Sequence, residues 1–238
     1  MLPLRDKNPS GTVPWVLYGL IALNCAAFFH ELGLSDEGLQ SLVERFGLVP
    51  YRAGAALRGE AGVFEALLMP AIASMFLHGG WAHLIANMWF LHIFGDNVEG
   101  RLGHAGFLAF YVGCGLCAGG LQFALSPTSQ VPMIGASGAI AGVLGAYAVC
   151  WPGARVVTLV PVFFVFTFVD LPALLVLGMW FLAQLFQGSA SLGADVSTGG
   201  VAYWAHVGGF VAGIGVALVW PRGRQGPRPS RRPRMPYR

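Results

Sequence analysis

Long apolar runs separated by short polar breaks dominate the chain. They recur near residues 13–33, 82–99, 104–125, 137–151 (extended slightly), 171–187 and 202–220. A helix needs roughly 20 mostly apolar residues to cross the hydrocarbon core of a bilayer, so each run predicts a spanning helix. Two stretches fit less well. Residues 63–77 carry Glu65 and Pro70 and fall short of a span, which predicts a long, partly structured loop over 34–81 resting on the membrane surface. Residues 156–187 are too long for one span and too short for two. Asp170-Leu171-Pro172 breaks that run, so an interfacial segment is expected before Pro172 and a helix after it. The pattern predicts an all-α polytopic membrane protein with six transmembrane helices over 13–220, flanked by a short N-terminus, 1–12, and a tail, 221–238.

Composition agrees. Of 238 residues, 55% are hydrophobic and only 11% charged, against about 25% charged in an ordinary soluble domain. Charge then orients the bundle. Six spans put Arg5, Lys7, Arg101, Arg155 and the seven arginines between Arg222 and Arg238 on one side, and leave only Arg45, Arg52 and Arg58 on the other. By the positive-inside rule both termini are cytoplasmic and the protein is expected in the cell (inner or plasma) membrane. Seven spans would put the basic tail outside. The first run lacks a small-residue cleavage signature and reads as a retained helix. The proline-interleaved tail reads as a disordered segment lying on anionic headgroups, with no nucleic-acid role. Cys25, Cys114, Cys117 and Cys150 all fall in apolar stretches, and buried thiols there act as small hydrophobes, so neither a disulfide nor a metal is expected.

Candidate chemistry sits inside the apolar runs, where polar groups are costly and mark function. With the N-terminus inside, the second, fourth and sixth helices run inward. His83, Asn87, Ser137 and His206 then share one depth in the outer half of the bilayer, and hydrophobicity alone would not align them. His83 and Asn87, four residues apart, share a helical face. His206, Gly209 and Gly213 form a small-residue stripe, and Gly138, Ala141, Gly142 and Gly145 form a matching one. Such stripes let helices approach closely, as a base must to come within about 3 Å of a hydroxyl. The expected chemistry is nucleophilic hydrolysis: Ser137 attacks, His206 is the general base, and His83, Asn87 and the Ser137 backbone N–H stabilise the oxyanion. This needs no cofactor and no metal. No acid is placed to orient His206, since Asp96 and Asp170 fall near the inner face and Asp195 in an outer loop, so a dyad is expected. His30 and His104 need only interfacial solvation, and Glu99 with Arg101 is expected to form an inner-face polar cluster.

Gly135-Ala136-Ser137-Gly138, His78-Gly79-Gly80-Trp81-Ala82-His83-Leu84-Ile85-Ala86-Asn87 and Ala205-His206-Val207-Gly208-Gly209-Phe210 resemble the three signature motifs of the rhomboid intramembrane serine proteases. Phe94-Gly95 and Glu99-Gly100-Arg101-Leu102-Gly103 resemble the inner end of that family's second helix. The resemblance covers about residues 40–220. It implies a six-helix rhomboid-like bundle whose Ser–His dyad cleaves single-pass membrane proteins near or within their spans. It also implies Ser137 as nucleophile, His206 as base, and His83 and Asn87 as oxyanion donors. Ala141 stands where some members carry a tyrosine that stacks on the histidine, and the first outer loop lacks the Trp-Arg pair of some relatives. The alternatives are a catalytically silent client-binding scaffold or a small transporter. A silent scaffold would lack the serine or the histidine, and a transporter would carry inverted repeats with broken helices. A substrate gate is expected beside the fifth helix, where bulky Trp180, Phe181 and Phe186 predict loose packing against the second.

Overall fold

Backbone amides inside a bilayer have no water to bond, so the chain satisfies them within helices. The computed structural model describes residues 1–162, 165–191 and 201–220. Strand β1 (Leu2–Asp6) leads into α1 (Trp15–Leu32), followed by α2 (Asp36–Phe46) and α3 (Pro50–Leu57). A π-helical turn, Phe64–Leu68, then merges into α4 (Met69–Ala73) and a 3₁₀ turn, Ser74–Phe76. After these come α5 (Trp81–Leu102), α6 (His104–Leu125) and α7 (Ser137–Cys150), then β2 (Arg155–Val162) and β3 (Val165–Pro172), and finally α8 (Ala173–Ser191) and α9 (Tyr203–Val219). The six predicted spans are α1, α5, α6, α7, α8 and α9. The basic tail and Asp195 lie outside the described residues.

The spans are unequal. Helices α1, α6 and α8 are each long and apolar enough to cross a membrane alone; α5 follows the helical stretch Phe64–Phe76 at a bend of 82°. Helices α7 and α9 are shorter, and the 14 residues of α7 reach only about 21 Å at 1.5 Å per residue. Helix α7 is enclosed: every residue from Gly138 to Ala148 is buried. Ser137, the first residue of this enclosed helix, is itself partly exposed.

Two readings need correction. The interfacial segment expected before Pro172 is an antiparallel hairpin, β2–β3, which β1 extends into a three-stranded sheet in the order β1-β2-β3. Register runs from Arg155↔Pro172 to Val162↔Val165, with Asp6↔Val156 on the other edge of β2. Valine, threonine and phenylalanine favour the pleated surface, and pairing satisfies amides that an apolar coil would leave open. The predicted Glu99–Arg101 cluster is also different. Glu99 is 1% exposed and caps α1: its carboxylate accepts the Val16 and Leu17 amides at 3.0 and 2.7 Å. It also meets His104 Nδ1 at 2.5 Å, so His104 has a buried partner and not solvent alone. A carboxylate suits the positive end of a helix, and this one ties α1, α5 and α6 together. Arg101 Nε is buried without a hydrogen-bond partner among the described residues.

Candidate active site

Ser137 opens α7 as its first helical residue, with Ala136 as the cap and no side-chain capping bond. The Ser137 Oγ–His206 Nε2 distance is 2.8 Å, across 69 residues of sequence. Two features bring the imidazole there. The α7 and α9 backbones are in direct contact, because a Cβ at Gly209 or at Gly213 would overlap the carbonyl of Gly138 or of Gly142. In addition, the Ala205 amide donates to Gln122 Oε1 at 3.3 Å, so α6 holds the first turn of α9 in place. The matched small-residue stripes are the α7–α9 interface.

His83 and Asn87 arrive from α5 on the other side of Gly135. Gly135 has φ +119°, outside what side chains favour, and a Cβ there would sit 2.6 Å from His83 Nε2 and 3.6 Å from Asn87 Nδ2. Glycine is thus required twice, by conformation and by space. The Gly135 amide donates to the Ser74 carbonyl at 2.8 Å, which pins the loop before Ser137. The Gly79 amide donates to His83 Nδ1 at 3.4 Å, an arrangement that puts the neutral ring's proton on Nε2, the atom facing Gly135. Asn87 is 7% exposed, and its Nδ2 has no hydrogen-bond partner among the described residues. An amide donor left unpaired at such burial costs about 1–3 kcal/mol, and it lies beside Gly135, two residues before the serine. His78 braces this side: its backbone amide donates to the Glu31 carboxylate at 3.2 Å, and its ring stands 5.1 Å from that of His83. A small cleft opens at Ser137, lined by Ser74, Met75, Gly135, Gly138 and Ala205 among others.

The sequence reading missed one contact. Gln184, on α8, has its Oε1 2.7 Å from His206 Nδ1, so the predicted pair has a third member, an amide where only acids had been considered. The available signal was the pair of glutamines, Gln184 and Gln187, that interrupts this apolar helix. The expected gate residues divide: Phe186 is 77% exposed on α8, whereas Trp180 and Phe181 pack inward. The ring of Trp180 lies 5.8 Å from that of His206, and Phe181 stacks on Phe210 at 4.4 Å. Both face α9, not α5, so bulk here fills an interface between α8 and α9.

Known proteins are similar to this chain in sequence. The rhomboid domain family matches residues 66–223. The chain is 31% identical over 159 residues to "Rhomboid-like protein 11, chloroplastic" of Arabidopsis thaliana, covering 63% of this chain and 50% of that one. It is 30% identical over 149 residues to "Rhomboid protein 1, mitochondrial" of Saccharomyces cerevisiae, covering 60% of this chain and 39% of that one. The matched region thus spans half or less of the length of these relatives.

Proposed function

The chain belongs to the rhomboid family, and from that premise we propose that it is an intramembrane serine endopeptidase acting on single-pass membrane proteins. One observation carries the reading: a serine hydroxyl 2.8 Å from an imidazole nitrogen, beside an amide donor buried without a partner among the described residues. Ser137 Oγ attacks the scissile carbonyl carbon while His206 Nε2 takes its proton. The new oxyanion receives hydrogen bonds from Asn87 Nδ2, His83 Nε2–H and the Ser137 backbone N–H, donors that need no reorganisation. His206 then protonates the leaving amine, the C–N bond breaks, and a water activated by the same base releases the acyl group from Ser137.

In this reading residues 13–220 form the protease domain in the cell membrane. Both termini are cytoplasmic, the site opens outward, and the tail, 221–238, lies on anionic headgroups. The distribution of basic residues supports that orientation. The test is covalent labelling by a fluorophosphonate in detergent. The wild type is expected to label and Ser137→Ala to remain unlabelled; an unlabelled, folded wild type overturns the assignment and leaves a client-binding scaffold.

A further inference from the structure

A histidine can take a proton from Ser137 only if its Nε2 lone pair faces the hydroxyl. The single proton of the neutral ring must then reside on Nδ1. In an apolar interface that Nδ1–H needs an acceptor, since a buried donor without one favours the other tautomer. That acceptor is Gln184 Oε1, 2.7 Å from His206 Nδ1, on a residue only 8% exposed. We propose that Gln184 is the positioning residue of His206, holding the imidazole in the tautomer and orientation that make it a base. The proposal rests on the protease reading and adds a residue that does not touch the substrate.

Helix geometry supports the role. Trp180, Gln184 and Gly188 are spaced four apart and so lie along one face of α8. All three meet the start of α9. Trp180 sets its ring 5.8 Å from the imidazole at a tilt of 35°. Gly188 lets α8 close on α9, because a Cβ there would stand 3.2 Å from Trp204. The imidazole is thus held at its Nδ1 edge by an amide and at its flank by an indole, both from α8. Ala141, one turn after Ser137 on α7, is fully buried and carries no ring that could do either. An amide acceptor also differs usefully from a carboxylate: it directs the proton without placing a charge in the bilayer.

The test sets two substitutions against each other in the full chain, reconstituted with a fluorogenic single-span substrate. Gln184→Met keeps length and bulk but loses the oxygen, whereas Gln184→Glu keeps an oxygen acceptor at the same reach. Positioning predicts that Gln184→Met lowers kcat about ten- to a hundred-fold with KM unchanged, the usual cost of removing the partner of a functional histidine N–H. It also predicts that Gln184→Glu retains several-fold more activity than Gln184→Met. A packing role predicts the reverse, methionine tolerated and a buried charge damaging. Wild-type kcat in Gln184→Met, or Gln184→Glu no better than Gln184→Met, overturns the proposal. Should either variant misfold, ¹⁵N NMR of the wild type decides: a protonated Nδ1 on His206 supports the proposal and a protonated Nε2 sinks it. Fluorophosphonate labelling run in parallel separates the two claims. A labelled wild type with an indifferent Gln184 leaves the protease reading standing, whereas an unlabelled wild type removes both.

Discussion

Alanine at position 137 removes the hydroxyl that His206 contacts, and alanine at 206 removes the imidazole that contacts that hydroxyl. Because nucleophile and base act as one unit, Ser137→Ala and His206→Ala are each expected to reduce cleavage of a single-span substrate to background with the fold intact. Near-wild-type turnover in either folded variant removes the residue from the mechanism. Asn87 differs, since its Nδ2 has no partner among the described residues and gains one in the proposed mechanism. Asn87→Ala should lower kcat about ten- to a thousand-fold with little change in KM. A loss confined to KM would make Asn87 a docking residue. At this scale the sequence was most legible where polar residues stood beside glycines at helix ends, as at His83, Ser137 and His206. Gln184 escaped because nothing within its own helix distinguishes a functional amide from a packed one. Its meaning comes from a histidine 22 residues away.

Among the elements, the α7–α9 contact decides the distance between base and nucleophile. A side chain at Gly209 would meet the Gly138 carbonyl, so Gly209→Val must drive the two helices apart three residues beyond His206. Overpacking of this kind costs about 1–3 kcal/mol. The expected outcome is a lower thermal midpoint and an activity loss larger than the stability change explains; a fully active, equally stable Gly209→Val would show the contact to be incidental. The packing of α8 bears on part of an expectation, since Phe186 is exposed and Phe181 is not. Bulky residues there predict a loose helix if they face lipid or a gap, but Phe181 stacks on Phe210 at an interplanar angle of 17°. Phe181→Ala should therefore lower both midpoint and cleavage rate, and a rise in rate would restore the case for a gate at this point. Hydropathy reports how apolar a face is, not which neighbour covers it.

Across the whole molecule, the N-terminal segment binds distant elements together. Trp89 Nε1 on α5 donates to the Pro3 carbonyl at 2.7 Å, and Asn97 Nδ2 donates to the Asn8 carbonyl at 2.7 Å. Tyr147 Oη on α7 donates to Asp6 Oδ2 at 2.6 Å, and Lys7 pairs with Asp170 of β3 at 2.6 Å. Burial raises the Asp6 carboxyl from 3.8 to about 6, against the lowering effect of the Tyr147 hydroxyl. A carboxyl whose folded value lies above its unfolded one binds its proton more tightly when folded. Its contribution to stability is therefore largest below about 4 and is lost as pH rises through about 6. The thermal midpoint should fall as pH rises across this window, and Asp6→Asn should flatten that part of the profile. An unchanged slope in Asp6→Asn would assign the dependence to another group.

The sequence alone determined the bilayer as solvent, the spans and their approximate bounds, because burial in lipid requires a length and an apolarity that composition records directly. It also singled out the serine, the two histidines and the asparagine as candidates, since polar groups in hydrocarbon stand out against their surroundings. The stripes that join α7 to α9 were legible for a related reason: small residues at helical spacing have few other uses in a membrane. Tertiary structure alone decided the rest. The sheet of β1, β2 and β3 depends on pairing between residues about 150 positions apart, which no local pattern encodes. The Glu99 cap on α1 and the Gln184 contact to His206 are likewise meetings of single side chains from different helices. A chain states what each residue can offer, and only the packed bundle determines which offers meet.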